Sequence, residues 1–157
     1  MPDLAAKMVN AADIFVENMS YAGVTWLEVS PDSVLRLDDL IDQFWPPGAR
    51  PDDYQSMIPV IGAYVGEVLI RETGATWVEG PHGIGVTLRG QSAFPLNKVA
   101  KRFDQGRNHS IGHFFREIRA HWLSGHTELP ATWRASSAPS SPPSTRGLRL
   151  PWRRGTS

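Results

Sequence analysis

Residues 57–88 read MIPVIGAYVGEVLIRETGATWVEGPHGIGVTL, and this stretch decides the fold. Its first part is apolar nearly all round, which places a helix at the centre of a domain and not on its surface. Pro59 either kinks that helix or marks its true start, because proline lacks the N–H that a helix interior needs. Thr73-Gly74 closes the helix. Two short β-type runs, 75–79 and 84–88, follow at once around Gly80-Pro81-His82-Gly83, whose glycines and proline are turn formers. A helix feeding directly into a β-hairpin at 75–88 is the centre of a small α+β domain. Two strands of this length are not stable alone, so a helix has to pack on them. Gly62 and Gly66, four residues apart, leave a groove on the central helix where another element can approach closely.

Outward from this centre the chain is well punctuated. Pro51-Asp52-Asp53 opens the central helix, read as running to about Thr73, and Pro46-Pro47-Gly48 stops the helix before it. That earlier helix starts at Ser30-Pro31-Asp32, where serine caps, proline suits the first turn and the acid favours the positive end of the dipole. It runs to about Trp45 with Val34, Leu37, Leu40, Ile41, Phe44 and Trp45 as its buried stripe. Residues 24–29 alternate and read as a third, short strand. Residues 3–19 carry Leu4, Met8, Ala11, Ala12, Phe15 and Met19 at helical spacing. On the other side, Phe94-Pro95 starts a helix to about Phe103. Residues 104–108 form a turn, and residues 109–123 make the last helix, with Ile111, Phe114, Phe115, Ile118 and Trp122 on its core side. The expected architecture is α+β: about five helices around the central one, packed on a small antiparallel sheet. From residue 130 the composition changes to Ser, Pro and Arg (ASSAPSSPPSTRG over 135–147). This divides the chain into a globular domain, 1–129, and a basic tail, 130–157, read as disordered.

The 157 residues suit one domain of ordinary size, with 41% hydrophobic and 20% charged residues. Net charge is zero but unevenly spread. Residues 1–130 hold 11 Lys+Arg against 16 Asp+Glu, a net of −5, and residues 131–157 hold five Arg and no acid, a net of +5. There is no cysteine, which excludes disulfides, thiolate metal sites and thiol catalysis together. The N-terminus lacks the basic-then-apolar order of a secretory signal, and the longest apolar stretch contains Glu67 and is too short to span a membrane. A cytoplasmic protein is the expectation. Arg outnumbers Lys by 13 to 3, a codon-usage pointer to a GC-rich bacterial genome.

Four constellations are candidates for chemistry. His109, His113 and Glu117, with His121 beyond, recur every four residues along the last predicted helix. Two histidines at i and i+4 can share a metal ion. Without cysteine, an HExxH pattern or a second ligand segment, however, a solvated polar flank is the better reading. A melting temperature unmoved by zinc, manganese and nickel would sink the metal reading. Glu67, near Tyr64 and Arg71 on the central helix, is a candidate general base; an i,i+4 pair with Arg71 at the helix's one polar edge is the better reading. Tyr64, Trp77 and His82 are candidate ligand or partner contacts, although turn geometry alone accounts for the residues around His82, which reads better as a solvated loop residue. Asp38, Asp39 and Asp42 form an acidic edge suited to a basic partner, including the tail arginines Arg146, Arg149, Arg153 and Arg154.

Several of these residues recur together in SVLRLDDLIDQFW, IGAYVGEVLIRETGATWVE, AFPLNKVAKRF and HSIGHFFREI. In that order the segments resemble a family of small bacterial domains of unknown function, over roughly residues 30–118. The motif carrying the likeness is G-A-Y-x-G-E followed by Trp: Gly62, Ala63, Tyr64, Gly66, Glu67 and Trp77. Ser33, Leu37 and Asp38, and Phe94-Pro95-x-x-Lys98-Val99, support it. The resemblance implies that Tyr64, Glu67 and Trp77 belong to one recurring pattern and leaves the tail uncovered. With no cofactor fingerprint and no catalytic motif, the expectation is a non-catalytic cytoplasmic interaction or regulatory module. Its partner would be another protein, with no nucleic acid, no membrane span and no cofactor. The alternative is a small hydrolase or metal-dependent enzyme using Glu67, His109 and His113.

Overall fold

The computed structural model describes residues 3–125, and the tail predicted over 130–157 lies outside them. Among the described residues the order is α1 (Leu4–Tyr21), α2 (Pro31–Val34), α3 (Leu37–Phe44), α4 (Pro51–Tyr54), α5 (Met57–Thr73), β1 (Thr76–Gly80), β2 (Gly83–Leu88), β3 (Gln91–Ala93), α6 (Pro95–Gln105), a 3-10 turn (Arg107–His109) and α7 (Ile111–Ser124). The class is α+β, and the three strands form one antiparallel sheet in the order β1-β2-β3.

The central helix is α5. Nine successive residues, from Ile61 to Leu69, are buried, and each large apolar side chain among them contributes about 1.5–3 kcal/mol. Pro59 falls in the first turn of α5, where its missing N–H costs nothing, so it marks the start of the helix and does not kink it. Gly74 ends it with φ +83. The expected groove at Gly62 and Gly66 is filled by two different elements. A Cβ on Gly62 would lie 2.7 Å from the Leu96 Cα of α6, and one on Gly66 would lie 2.1 Å from the Trp77 ring of β1. α1 lies along another side of α5, with Phe15 edge-on to Tyr64 at 5.3 Å.

Two of the three helices predicted before the hairpin strands are interrupted. The helix expected over residues 30–45 breaks at Leu35-Arg36, and the one expected from Pro51 breaks at Gln55-Ser56. The first break lets Val34 and Leu37 both become fully buried while Arg36 turns outward to lie over the Trp26 ring, 3.7 Å from its centroid.

Residues 24–29 are not a strand. Val24 and Leu27 are buried but lie three residues apart, which is not the spacing of an alternating strand, and no neighbouring strand pairs with the segment: the Val24 N–H donates to the Met19 carbonyl, and side chains take up other backbone groups. The Glu28 N–H donates to Ser33 Oγ (3.1 Å), Ser33 Oγ donates to the Trp26 carbonyl (3.3 Å), and the Tyr64 hydroxyl donates to the Glu28 carbonyl. The third strand is instead β3, reached through a two-residue turn at Arg89-Gly90. Both turn residues have positive φ (51° and 79°), the twist that a tight hairpin prefers. Arg89 holds this unfavourable backbone while its guanidinium donates to the Trp122 carbonyl at 2.6 Å.

Candidate functional site

The acidic edge predicted on α3 is engaged from within the domain. Asp38, whose side chain is 7% exposed, accepts from four groups: Arg102 Nε (2.7 Å), Ser110 Oγ (2.7 Å), and the backbone N–H groups of Ile111 (3.1 Å) and Gly112 (3.0 Å). One carboxylate thus caps α7 and anchors α6 from α3. Burial pushes the Asp38 carboxyl up, but the Gly112 N–H, Arg102, the Ser110 hydroxyl and the Ile111 N–H together hold it below its ordinary value. Arg102 also reaches Asp42 at 2.8 Å. That bond is the largest influence on Asp42, and with help from Arg107 and against a burial penalty it holds the carboxyl low. Arg107 completes the array by bridging Asp42 (2.6 Å) and Asp39 (3.1 Å) at the surface. Gly106 makes this return possible: its φ of +87 with ψ of −162 turns the chain back from α6 in a conformation that only glycine adopts readily.

In front of this latch lies a cleft of about 140 Å³. Its walls are Trp45 with Pro46-Pro47-Gly48, the α4 residue Tyr54, and the α6 residue Phe103, with Asp42, Arg102 and Arg107 at its floor and edge. The rings form a continuous aromatic surface. Tyr54 stacks on Phe103 at 4.5 Å and an interplanar angle of 7°, and Trp45 meets Phe103 edge-on at 5.6 Å. The Trp45 indole is fixed by donating to the Asp53 carbonyl at 3.0 Å. Burial, with the nearby Asp104 charge, pushes the Tyr54 hydroxyl above its ordinary value.

The residues singled out in the sequence lie elsewhere. Of Tyr64, Glu67 and Trp77, the structure bonds Glu67 to Trp77 and turns Tyr64 to Glu28 and Phe15. Trp77 lies across Gly66 and its indole donates to Glu67 Oε2 at 2.7 Å, while Tyr64 stitches the 24–29 loop. The partner expected for Glu67, Arg71, is exposed on the same helix. His82 is exposed at the hairpin tip, edge-on to Phe94 at 6.1 Å.

His109 belongs to the 3-10 turn and not to the last helix, so the expected i,i+4 helical pair with His113 does not form. Its Nδ1 lies 3.5 Å from Lys98 Nζ. His113 is exposed on α7, and its backbone N–H donates to the capping Ser110 Oγ. His121 is buried, with Nε2 3.2 Å from Gln91 Oε1. Among the described residues no group of three or more His, Asp or Glu side chains is arranged to hold a metal ion. No helix among them is long and apolar enough to cross a membrane.

Two features were missed in the sequence. Lys98 is buried beside Phe114, and burial, then the Lys101 charge, against the pull of Asp38, lowers its amine to about 8. The aromatic cleft was read only as helix ends. The available signal was an aromatic residue at each of three helix ends, Trp45, Tyr54 and Phe103. Comparison of the chain with protein-family models, with curated proteins and with solved structures finds no match.

Proposed function

We propose that this chain is a non-catalytic interaction module of the bacterial cytoplasm, related to the small domains that its G-A-Y-x-G-E…W pattern resembles. Its contact surface is the cleft of Trp45, Tyr54 and Phe103, and its ligand is an extended, proline-containing basic peptide. The observation that carries the reading is the stacked aromatic wall, partly buried and open to solvent. Flat rings of this kind receive proline rings and aliphatic stems, and extended proline-rich segments bind such surfaces with little loss of conformational freedom.

Size and charge support the same ligand class. A cleft of about 140 Å³ is below the roughly 300–1,000 Å³ that encloses a small-molecule ligand, but it accommodates a side chain or two. Of its charged lining, Asp42 is met by Arg102 and Arg107; Asp53, whose carbonyl accepts from Trp45, and Asp104, whose charge acts on Tyr54, stand at the aromatic edge. Carboxylates at that edge suit a cationic peptide. The enzyme alternative has less support. Glu67 is held by Trp77 between α5 and β1, whereas His109 sits beside Lys98 of α6.

The test is a heteronuclear NMR titration of the full chain with proline-arginine peptides. Saturable shifts are expected at the Trp45 indole and at Tyr54 and Phe103, with binding weakened about tenfold in Tyr54→Ala, as for a central aromatic contact. Unmoved cleft resonances, together with an ester or phosphate hydrolysis that Glu67→Gln abolishes, would replace this reading with the enzyme one.

A further inference from the structure

We infer that the cleft is an autoinhibited site whose resident ligand is the chain's own segment Leu148-Arg149-Leu150-Pro151-Trp152-Arg153-Arg154, which lies outside the described residues. The inference rests on the peptide-binding reading of the cleft and adds the identity of the occupant.

Three observations converge on this segment. The first is chemistry. It places a proline and a tryptophan between arginines, matching stacked Tyr54 and Phe103, edge-on Trp45 and the Asp53 and Asp104 residues beside them. Arg107 does not oppose it, because its charge is met by Asp39 and Asp42. The second is the charge division, −5 over residues 1–130 and +5 over 131–157. The tail carries no acid that could compete for its own arginines.

The third is reach. The N-terminus of α7 is fixed to Asp38, directly behind the cleft, and its 14 residues carry the chain about 21 Å away. Between Gly125 and Arg149 lie 23 residues, for which a coil spans about 25 Å on average. A return over one helix length is therefore well matched to the connector. A linker of this length supplies an effective concentration on the order of 1 mM. An interaction that is weak between separate molecules, with a Kd of about 0.1 mM, would then leave the cleft about nine-tenths occupied in cis. An outside ligand would meet a site whose apparent affinity is about tenfold reduced.

The experiment compares the full wild-type chain with the full chain carrying Trp152→Ala, Arg153→Glu and Arg154→Glu, changes that leave residues 3–125 untouched. Each is titrated with a synthetic peptide of residues 146–157 and, separately, with unrelated proline-arginine peptides, following the Trp45, Tyr54 and Phe103 resonances. The expected result has three parts. The cleft resonances differ between the two proteins before any peptide is added, the difference is unchanged on hundredfold dilution, and the synthetic peptide binds the variant about tenfold more tightly.

Equal binding to both proteins would overturn the inference while leaving the cleft a peptide site. So would binding of the unrelated peptides but not of the 146–157 peptide. A difference that vanishes on dilution would assign the occupant to a second copy of the chain and overturn the intramolecular form. No binding of any peptide to either protein would remove the peptide-site reading and the inference together.

Discussion

Asp38 is the residue on which the helical half of the molecule turns. Its carboxylate satisfies the first N–H groups of α7 and fixes a guanidinium, Arg102, that is only 4% exposed. Asp38→Ala leaves that buried charge short of a partner, and a loss of about 3–5 kcal/mol is expected, readable as a lowered urea midpoint at pH 7. Arg107→Ala removes a bridge to Asp39 that is 82% exposed and a part-exposed contact to Asp42, so it is expected to cost less than about 1 kcal/mol.

The acid response follows from the same group. Asp38 and Asp42 have carboxyls lowered from 3.8, so the folded state binds fewer protons than the unfolded one as pH falls through that value. Their contribution is present above the ordinary value and is lost as pH falls through the folded values. Urea midpoints taken from pH 7 to pH 2 should drop steeply below about pH 4 in the wild type and more gently in Asp38→Ala. Lys98 has the opposite sign. Its amine is lowered from 10.5 to about 8, so burying its charge destabilises the fold at neutral pH, and that penalty is relieved as pH rises from about 8 towards 10.5. Lys98→Met is expected to stabilise by about 1–3 kcal/mol at pH 7, with the gain shrinking by pH 10.

At the level of elements, α5 and β1 are joined through the absence of a side chain. On helix propensity alone, Gly66→Ala should stabilise by about 0.8–1 kcal/mol. A Cβ there would stand 2.1 Å from the Trp77 ring, so the opposite is expected, a loss of about 1–3 kcal/mol from overpacking. The sign of the change in melting temperature decides between the two. The helix–hairpin centre was legible because its punctuation is chemical: Gly74 can take φ +83, and Pro81 and Gly83 suit the turn.

The misreadings have equally specific causes. Residues 24–29 alternate as a strand does, but Ser33 and Tyr64 supply the partners that a neighbouring strand would have supplied. Gln91-Ser92-Ala93 carries no strand signal of its own and is β by virtue of pairing with Val86, Thr87 and Leu88. Tyr64, Glu67 and Trp77 were legible as a pattern, but not that Glu67 would bond the Trp77 ring lying on Gly66 while Tyr64 reaches the Glu28 carbonyl. The cleft was not legible because Phe103 is far along the chain from Trp45 and Tyr54, and the three rings meet only after the turn at Pro46-Pro47-Gly48 and the packing of α6 have set their positions.

Across the whole molecule the acids and the arginines are separated, with −5 in residues 1–130 and +5 in 131–157. The interaction reading gives this separation a measurable consequence. The hydrodynamic radius of the full chain is expected to be small at low salt and to grow as salt is raised through about 0.15 M and beyond, where exposed charges are screened over roughly 8 Å or less. A radius independent of salt would count against the attraction. The end of α7, from which the tail departs, is fastened more firmly than a helix terminus usually is. Arg89 donates to the Trp122 carbonyl, and the Trp122 indole donates to Gln91 Oε1 at 3.1 Å. These bonds tie the last turn of the helix to the tight turn between β2 and β3 and to the first residue of β3. Tension applied through whatever holds the tail would therefore not simply peel α7 away from its C-terminal end. The load would pass through Arg89 and Gln91 into the β2–β3 hairpin, making the small sheet a mechanical anchor for the C-terminal end of α7.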